Sequence, residues 1–181
     1  MHIELDTFVS SSNKSLMNER RMVQMGTVKL KECYFCDRLK DANQWSERLV
    51  YEDELVLVTH EVEADGPTYL GMVLIQTKRH TNHGLTDLTD AEGQRIGLLV
   101  AQISRALGEV VGAAWAYAYS FTEVYQHMHQ FVCARYPNMP QEYARLRFDE
   151  WKEAPRGTSA QVAELSKKLS ARLKIYSATQ S

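Results

Sequence analysis

The run HMHQFVCARYP, from His127 to Pro137, constrains this chain more than any other stretch, because its residues sit comfortably only in a strand. On a strand, residues i and i+2 share a face. His127, His129 and Phe131 are therefore expected to point one way, with Cβ atoms about 6 to 7 Å apart at a rise of about 3.3 Å per residue. Met128, Gln130 and Val132 point the other way. Two imidazoles on one face suit a metal ligand beside a nucleophile, an acid and base pair, or two packing histidines that each satisfy a backbone carbonyl. The pair alone leaves all three open.

Two further segments bear on that choice. Cys33-Tyr34-Phe35-Cys36 is a C-x-x-C hook, and Thr77-Lys78-Arg79-His80 places another imidazole at the end of a strongly apolar run. Two cysteines and two histidines form a common closed tetrahedral zinc set. A C-x-x-C alone equally suits a redox pair or two unrelated thiols. The redox reading calls for a βαβ pattern around it, and residues 31–47 show none.

Composition narrows the class. A chain of 181 residues, 44% hydrophobic, is long enough for one well-filled core and short for two. Its net charge of −2 provides no global basic field. A duplex nucleic-acid partner is therefore disfavoured, although a local patch can hold one phosphate group. Of the three cysteines, two lie in the hook and Cys133 lies in the site strand, which suggests a reducing compartment over a disulfide framework. No apolar stretch approaches membrane-spanning length and no apolar leader is evident, so a soluble cytoplasmic protein without a membrane partner is expected.

Residues 1–30 read as a polar N-terminal extension, either a tail or an arm packed on a partner subunit. Strands are expected at Arg48 to Tyr51 and Leu55 to His60, then a turn at Asp65-Gly66-Pro67. Tyr69 to Gln76 is almost wholly apolar, as for a strand covered on both faces. Thr89-Asp90-Ala91-Glu92 is a capping box, and Ile96, Leu99, Ile103 and Leu107 recur at helical spacing until Gly112 supplies a stop. Strands at Ala113 to Phe121 and Tyr125 to Arg135 are close enough to form an antiparallel hairpin. After an irregular stretch, Val162, Leu165, Leu169 and Leu173 share a face of a last helix, Ser159 to Ile175, in a C-terminal segment of residues 158–181.

Taken in order, CYFC, the strands through Lys78 and His80, LTDLTDAE at the head of a long helix, and HMHQFVCARYPNMPQEY resemble the histidine triad superfamily of nucleotide hydrolases and transferases, over Cys33 to about Gly157. The resemblance implies an α+β domain at residues 31–157, with a five-stranded antiparallel sheet flanked by helices. In that register His127 is the first motif histidine, His129 the middle one, and Phe131 stands where the third belongs. A related branch carries glutamine there, but phenylalanine offers neither donor nor acceptor.

Further implications follow from the same resemblance. His129 becomes the nucleophile that attacks the α-phosphorus of a nucleotide or nucleotidyl conjugate and forms a nucleotidyl-histidine. Cys33, Cys36, His80 and His127 become the ligands of a structural zinc ion. Glu61 falls on the ribose hydroxyls, Lys78 and Arg135 are cationic partners for phosphate, and Gln130 and Phe131 flank the nucleotide within the motif. A homodimer pairing the long helix and the edge near Ala113 to Phe121 is implied too. The usual Gly-Gln-Ser-like run is replaced by Thr122-Glu123-Val124, which removes phosphate-facing polar groups. Water is the expected acceptor of the nucleotidyl group. A nucleotidyltransferase or phosphorylase, or a non-catalytic zinc-stabilised nucleotide-binding protein, are the other two outcomes.

Overall fold

Short, apolar, β-branched runs separated by turn residues build the sheet, and two capped amphipathic helices cover it. The computed structural model describes residues 33–63 and 66–179, so the N-terminal extension and Asp65 of the expected turn lie outside the described residues. The chain runs through α1 (Tyr34–Lys40), β1 (Leu49–Glu52), β2 (Val56–His60), β3 (Thr68–Tyr69), β4 (Met72–Thr77), α2 (Asp90–Val111), β5 (Trp115–Tyr119), β6 (His129–Arg135), β7 (Arg156–Gly157) and α3 (Ser159–Ala178). Five strands form one sheet in the order β1-β2-β4-β6-β5, every neighbouring pair antiparallel. β3 and β7 make a separate two-stranded ribbon. This is the expected α+β architecture.

Alternation along the strands divides the sheet into two faces. Val56, Val58, Val73, Ile75, Val132 and Ala134 share one, and the sheet on this side packs against the apolar stripe of α2, with Ile96, Leu99, Ile103 and Leu107 buried. Leu57, Thr59, Leu74, Gln76, His129 and Phe131 share the other, where Phe35 of α1 sits. Thr89 closes a capping box with Glu92, and Gly112 ends α2 in the left-handed region at φ 69°, both as expected. α3 is headed by a second box, Thr158 with Gln161, and runs on to Ala178, burying Leu165, Leu169 and Leu173 in the same core.

Two expected strands differ from the observed ones. The run Tyr69 to Gln76 is broken after Leu70 by Gly71 at φ +86°, where an added Cβ would stand 2.8 Å from Ala134 Cβ. Tyr69 thus belongs to the ribbon with β7, and β4 starts at Met72. The second difference is that β6 starts at His129, so His127 precedes the strand. It still joins the ladder region, because Thr77 N–H donates to Met128 C=O at 3.2 Å.

Candidate functional site

Cys33, Cys36, His80 and His127 come together from three separate parts of the chain. Cys33 caps α1 and Cys36 lies in its first turn, His80 follows β4, and His127 precedes β6. Their ligand atoms all lie within 4.8 Å of one another. His127 Nε2–H donates to Thr77 C=O at 2.8 Å, which leaves Nδ1 with its lone pair facing Cys33 Sγ at 3.3 Å and Cys36 Sγ at 3.5 Å. His80 Nδ1 faces Cys36 Sγ at 3.4 Å, while its Nε2 meets Asn82 Oδ1 at 3.3 Å.

The donor set fits zinc. With zinc–sulfur near 2.3 Å and zinc–nitrogen near 2.05 Å, a tetrahedron places sulfur and nitrogen about 3.6 Å apart, close to the spacings here. A backbone carbonyl and an amide oxygen hold the two imidazoles in the ligating tautomer. Burial, then the hydrogen bond to Cys33, pushes the Cys36 thiol up to about 11, so a metal ion must displace that proton when it binds. All three cysteines are free thiols.

His129 stands next to this cluster on β6. Its Nδ1 meets His127 C=O at 2.8 Å, and because a carbonyl can only accept, Nδ1 carries the proton. Nε2 keeps an unprotonated lone pair and has no hydrogen-bond partner among the described residues. Burial holds the ring's pKa below the ordinary histidine value, partly offset by the hydrogen bond to His127 and by the charge of Glu61. Aromatic rings enclose it: Phe35 stacks at 4.5 Å, Phe131 stands edge-on at 6.0 Å and Tyr125 at 6.4 Å. The residue is 4% exposed.

The remaining expected site residues are dispersed. Phe131 is buried and stacks on Tyr119 at 5.3 Å. Glu61 follows β2, with Oε1 3.1 Å from Arg38 and 3.2 Å from Arg48. Lys78 pairs with Glu52 at 2.7 Å. Arg135 lies over the Trp115 ring at 4.4 Å, six residues along β6 from His129, which is about 20 Å on a strand. Gln130 pairs with Ile75 on the opposite face from His129.

Phe35, Arg38 and Arg48 escaped the reading of the sequence. Phe35 and Arg38 are spaced i, i+3 and so share a face of α1, but a seven-residue helix is too short to show periodicity. The N-cap of that helix, Cys33, makes no side-chain capping hydrogen bond either.

No protein-family model matches the sequence, and no curated protein is similar to it. Solved structures are. A zinc-bound histidine triad family protein from Mycobacterium smegmatis matches with TM-score 0.58 at 19% identity, over 80% of this chain and 97% of that one. A hypothetical histidine triad nucleotide-binding protein from Sulfolobus tokodaii matches with TM-score 0.57 at 16% identity, over 78% and 92%. The diadenosine triphosphate hydrolase of Plasmodium falciparum, solved with cyclomarin A, matches with TM-score 0.51 at 14% identity, over 71% and 77%. At these identities the likeness is one of architecture, and its conclusion is that this chain has the fold of the histidine triad proteins.

Proposed function

We propose that this protein binds a nucleotide on the His129 face and hydrolyses it at the α-phosphorus, with a structural zinc ion held by Cys33, Cys36, His80 and His127. The observation that carries the reading is the His127 C=O bond to His129 Nδ1, which presents Nε2 as a neutral nucleophile. Nε2 attacks the α-phosphorus, and the bond from phosphorus to the leaving group breaks with its electron pair, the leaving group taking a proton from solvent. Water then cleaves the phosphorus–nitrogen bond, releasing the nucleoside monophosphate and restoring the ring. Glu61, whose Oε1 meets Arg38 and Arg48, accepts from the ribose through its other carboxylate oxygen. Zinc, when bound, supplies folding free energy and fixes α1 to β6; four protein ligands leave it no open position. The edge strand β5, with Trp115 61% exposed, supports pairing of two copies along that edge.

One observation favours a second reading. Phe35 over His129 and Phe131 against Tyr119 surround the nucleophile with apolar rings and bring no phosphate donor, as suits a protein that binds a nucleotide without turnover. Turnover of adenylyl conjugates by wild type and His129→Ala separates the two. Hydrolysis lost in His129→Ala, with the metal retained, supports the enzyme. Binding without hydrolysis in both proteins supports the binding protein. Hydrolysis that survives in His129→Ala refutes the nucleotidyl-histidine.

A further inference from the structure

Arg38 is a charged side chain buried on the same face of α1 as Phe35. Its guanidinium is wholly withdrawn from solvent, enclosed between α1 and β2. Nη2 donates to Thr59 Oγ1 and meets Glu61 Oε1 at 3.1 Å. Nε and Nη1 are sealed from solvent and have no partner among the described residues. Arg48 converges on the same Oε1 at 3.2 Å, and its other donors are taken by the carbonyls of Gln44 and His60. The next carboxylate along this edge, Glu63, is engaged by Arg156 at 2.5 Å.

One carboxylate therefore faces two guanidinium groups, which leaves a positive charge in excess and two unused donors on one buried side chain. A buried charge is retained only where a counter-charge and acceptors compensate its lost hydration. The cluster opens to solvent at Glu61, whose side chain is 19% exposed.

We infer that Arg38 is an oxyanion receptor on the Glu61 side of His129, and that it selects nucleotides carrying a second phosphate on the ribose. The inference rests on the nucleotide reading above and names its substrate class. With Glu61 Oε2 on one ribose hydroxyl, a phosphate ester on its neighbour comes beside Arg38. A carboxylate for a free ribose hydroxyl and an arginine for a phosphorylated one is a general division of labour at nucleotide sites. Phe35 and Arg38, three residues apart, extend the same face of α1 from the His129 ring to the Glu61 carboxylate. One ligand thus spans both groups. The competing explanation is a buried water on Nε and Nη1.

Calorimetry on the full chain with adenosine 5′-monophosphate and with adenosine 2′,5′- and 3′,5′-bisphosphates tests this, in wild type, Arg38→Met and Arg38→Lys. Wild type is expected to bind one bisphosphate about tenfold or more tighter than the monophosphate, the scale of a charge-assisted hydrogen bond. Arg38→Met should abolish that advantage while leaving the monophosphate within about threefold. Arg38→Lys, which keeps the charge and loses Nε and Nη1, should lose most of it, and carries the comparison if Arg38→Met does not fold. Equal affinity for the monophosphate and both bisphosphates, or an advantage unchanged in the variants, overturns the inference in favour of water. If no nucleotide binds any of the proteins, the nucleotide reading itself fails, and the phosphate arm decides the rest. A rise in melting temperature with inorganic phosphate that is lost in Arg38→Met retains the oxyanion site; an equal rise in both removes it.

Discussion

Two neighbouring groups of polar side chains meet at α1 and differ in what they lack. At one end Cys33, Cys36, His80 and His127 turn four lone pairs toward a common point, and each imidazole is held from behind by an oxygen. A single divalent ion would complete the group. At the other, His129 has an idle Nε2 and Arg38 has idle Nε and Nη1, while Phe35 and Phe131 cover the space between strands. The contrast is between four potential ligand atoms gathered within 4.8 Å of one another and unpartnered nitrogens carried on separate side chains.

The largest effect expected from breaking that contrast is at the metal group. Cys36→Ser should lose the metal and cost about 5 kcal/mol or more of stability, because structural zinc contributes folding free energy directly. Elemental analysis and thermal melts with and without a chelator measure it. A metal-free protein melting at the unchanged temperature would show that the cluster is ordinary packing.

A second effect compares two buried imidazoles. His60 is saturated, with Nδ1–H donating to Glu61 C=O at 2.6 Å and Nε2 accepting from Gly71 N–H at 2.8 Å. Burial takes its pKa down from the ordinary 6.5 to about 4. The folded value lies below the unfolded one, so its contribution is complete above pH 6.5 and is lost as pH falls through 4. The loss is about 3 kcal/mol. His129, also shifted downward by burial, acts in the same direction. Denaturant titrations of wild type and His60→Gln between pH 7 and pH 4 check this; a pH dependence identical in the two proteins would assign the loss to other groups.

The smallest effect sharpens the open side. Phe131→His should cost about 1 to 2 kcal/mol by exchanging an apolar ring stacked on Tyr119 for a polar one. It should also raise hydrolysis of simple adenylyl substrates, since a donor returns beside His129. Equal inertness of both proteins, with nucleotide still bound, would leave only the binding-protein reading.

Much of this was legible locally. The apolar strands, the capping box at Thr89 and the stop at Gly112 depend on residues within a few positions of one another, so period and cap chemistry were enough to place them. The grouping of Cys33, Cys36, His80 and His127 was legible because their type and order resemble those of zinc-bearing histidine triad proteins. Other features were not. Gly71 looked like part of a strand because only its approach to Ala134, on another strand, shows why the chain must turn there.

Left to itself, the sequence determined the element types through periodicity and local capping, while the five-stranded antiparallel sheet and the grouping of Cys33, Cys36, His80 and His127 followed from the family resemblance. Only the tertiary structure decided which nitrogens of His127 and His129 face away from a backbone carbonyl and that Arg38 lies buried with two donors unspent. Tautomer and burial are set by long-range partners, the carbonyl of Thr77 for His127 and the strand β2 for Arg38, which no local pattern encodes.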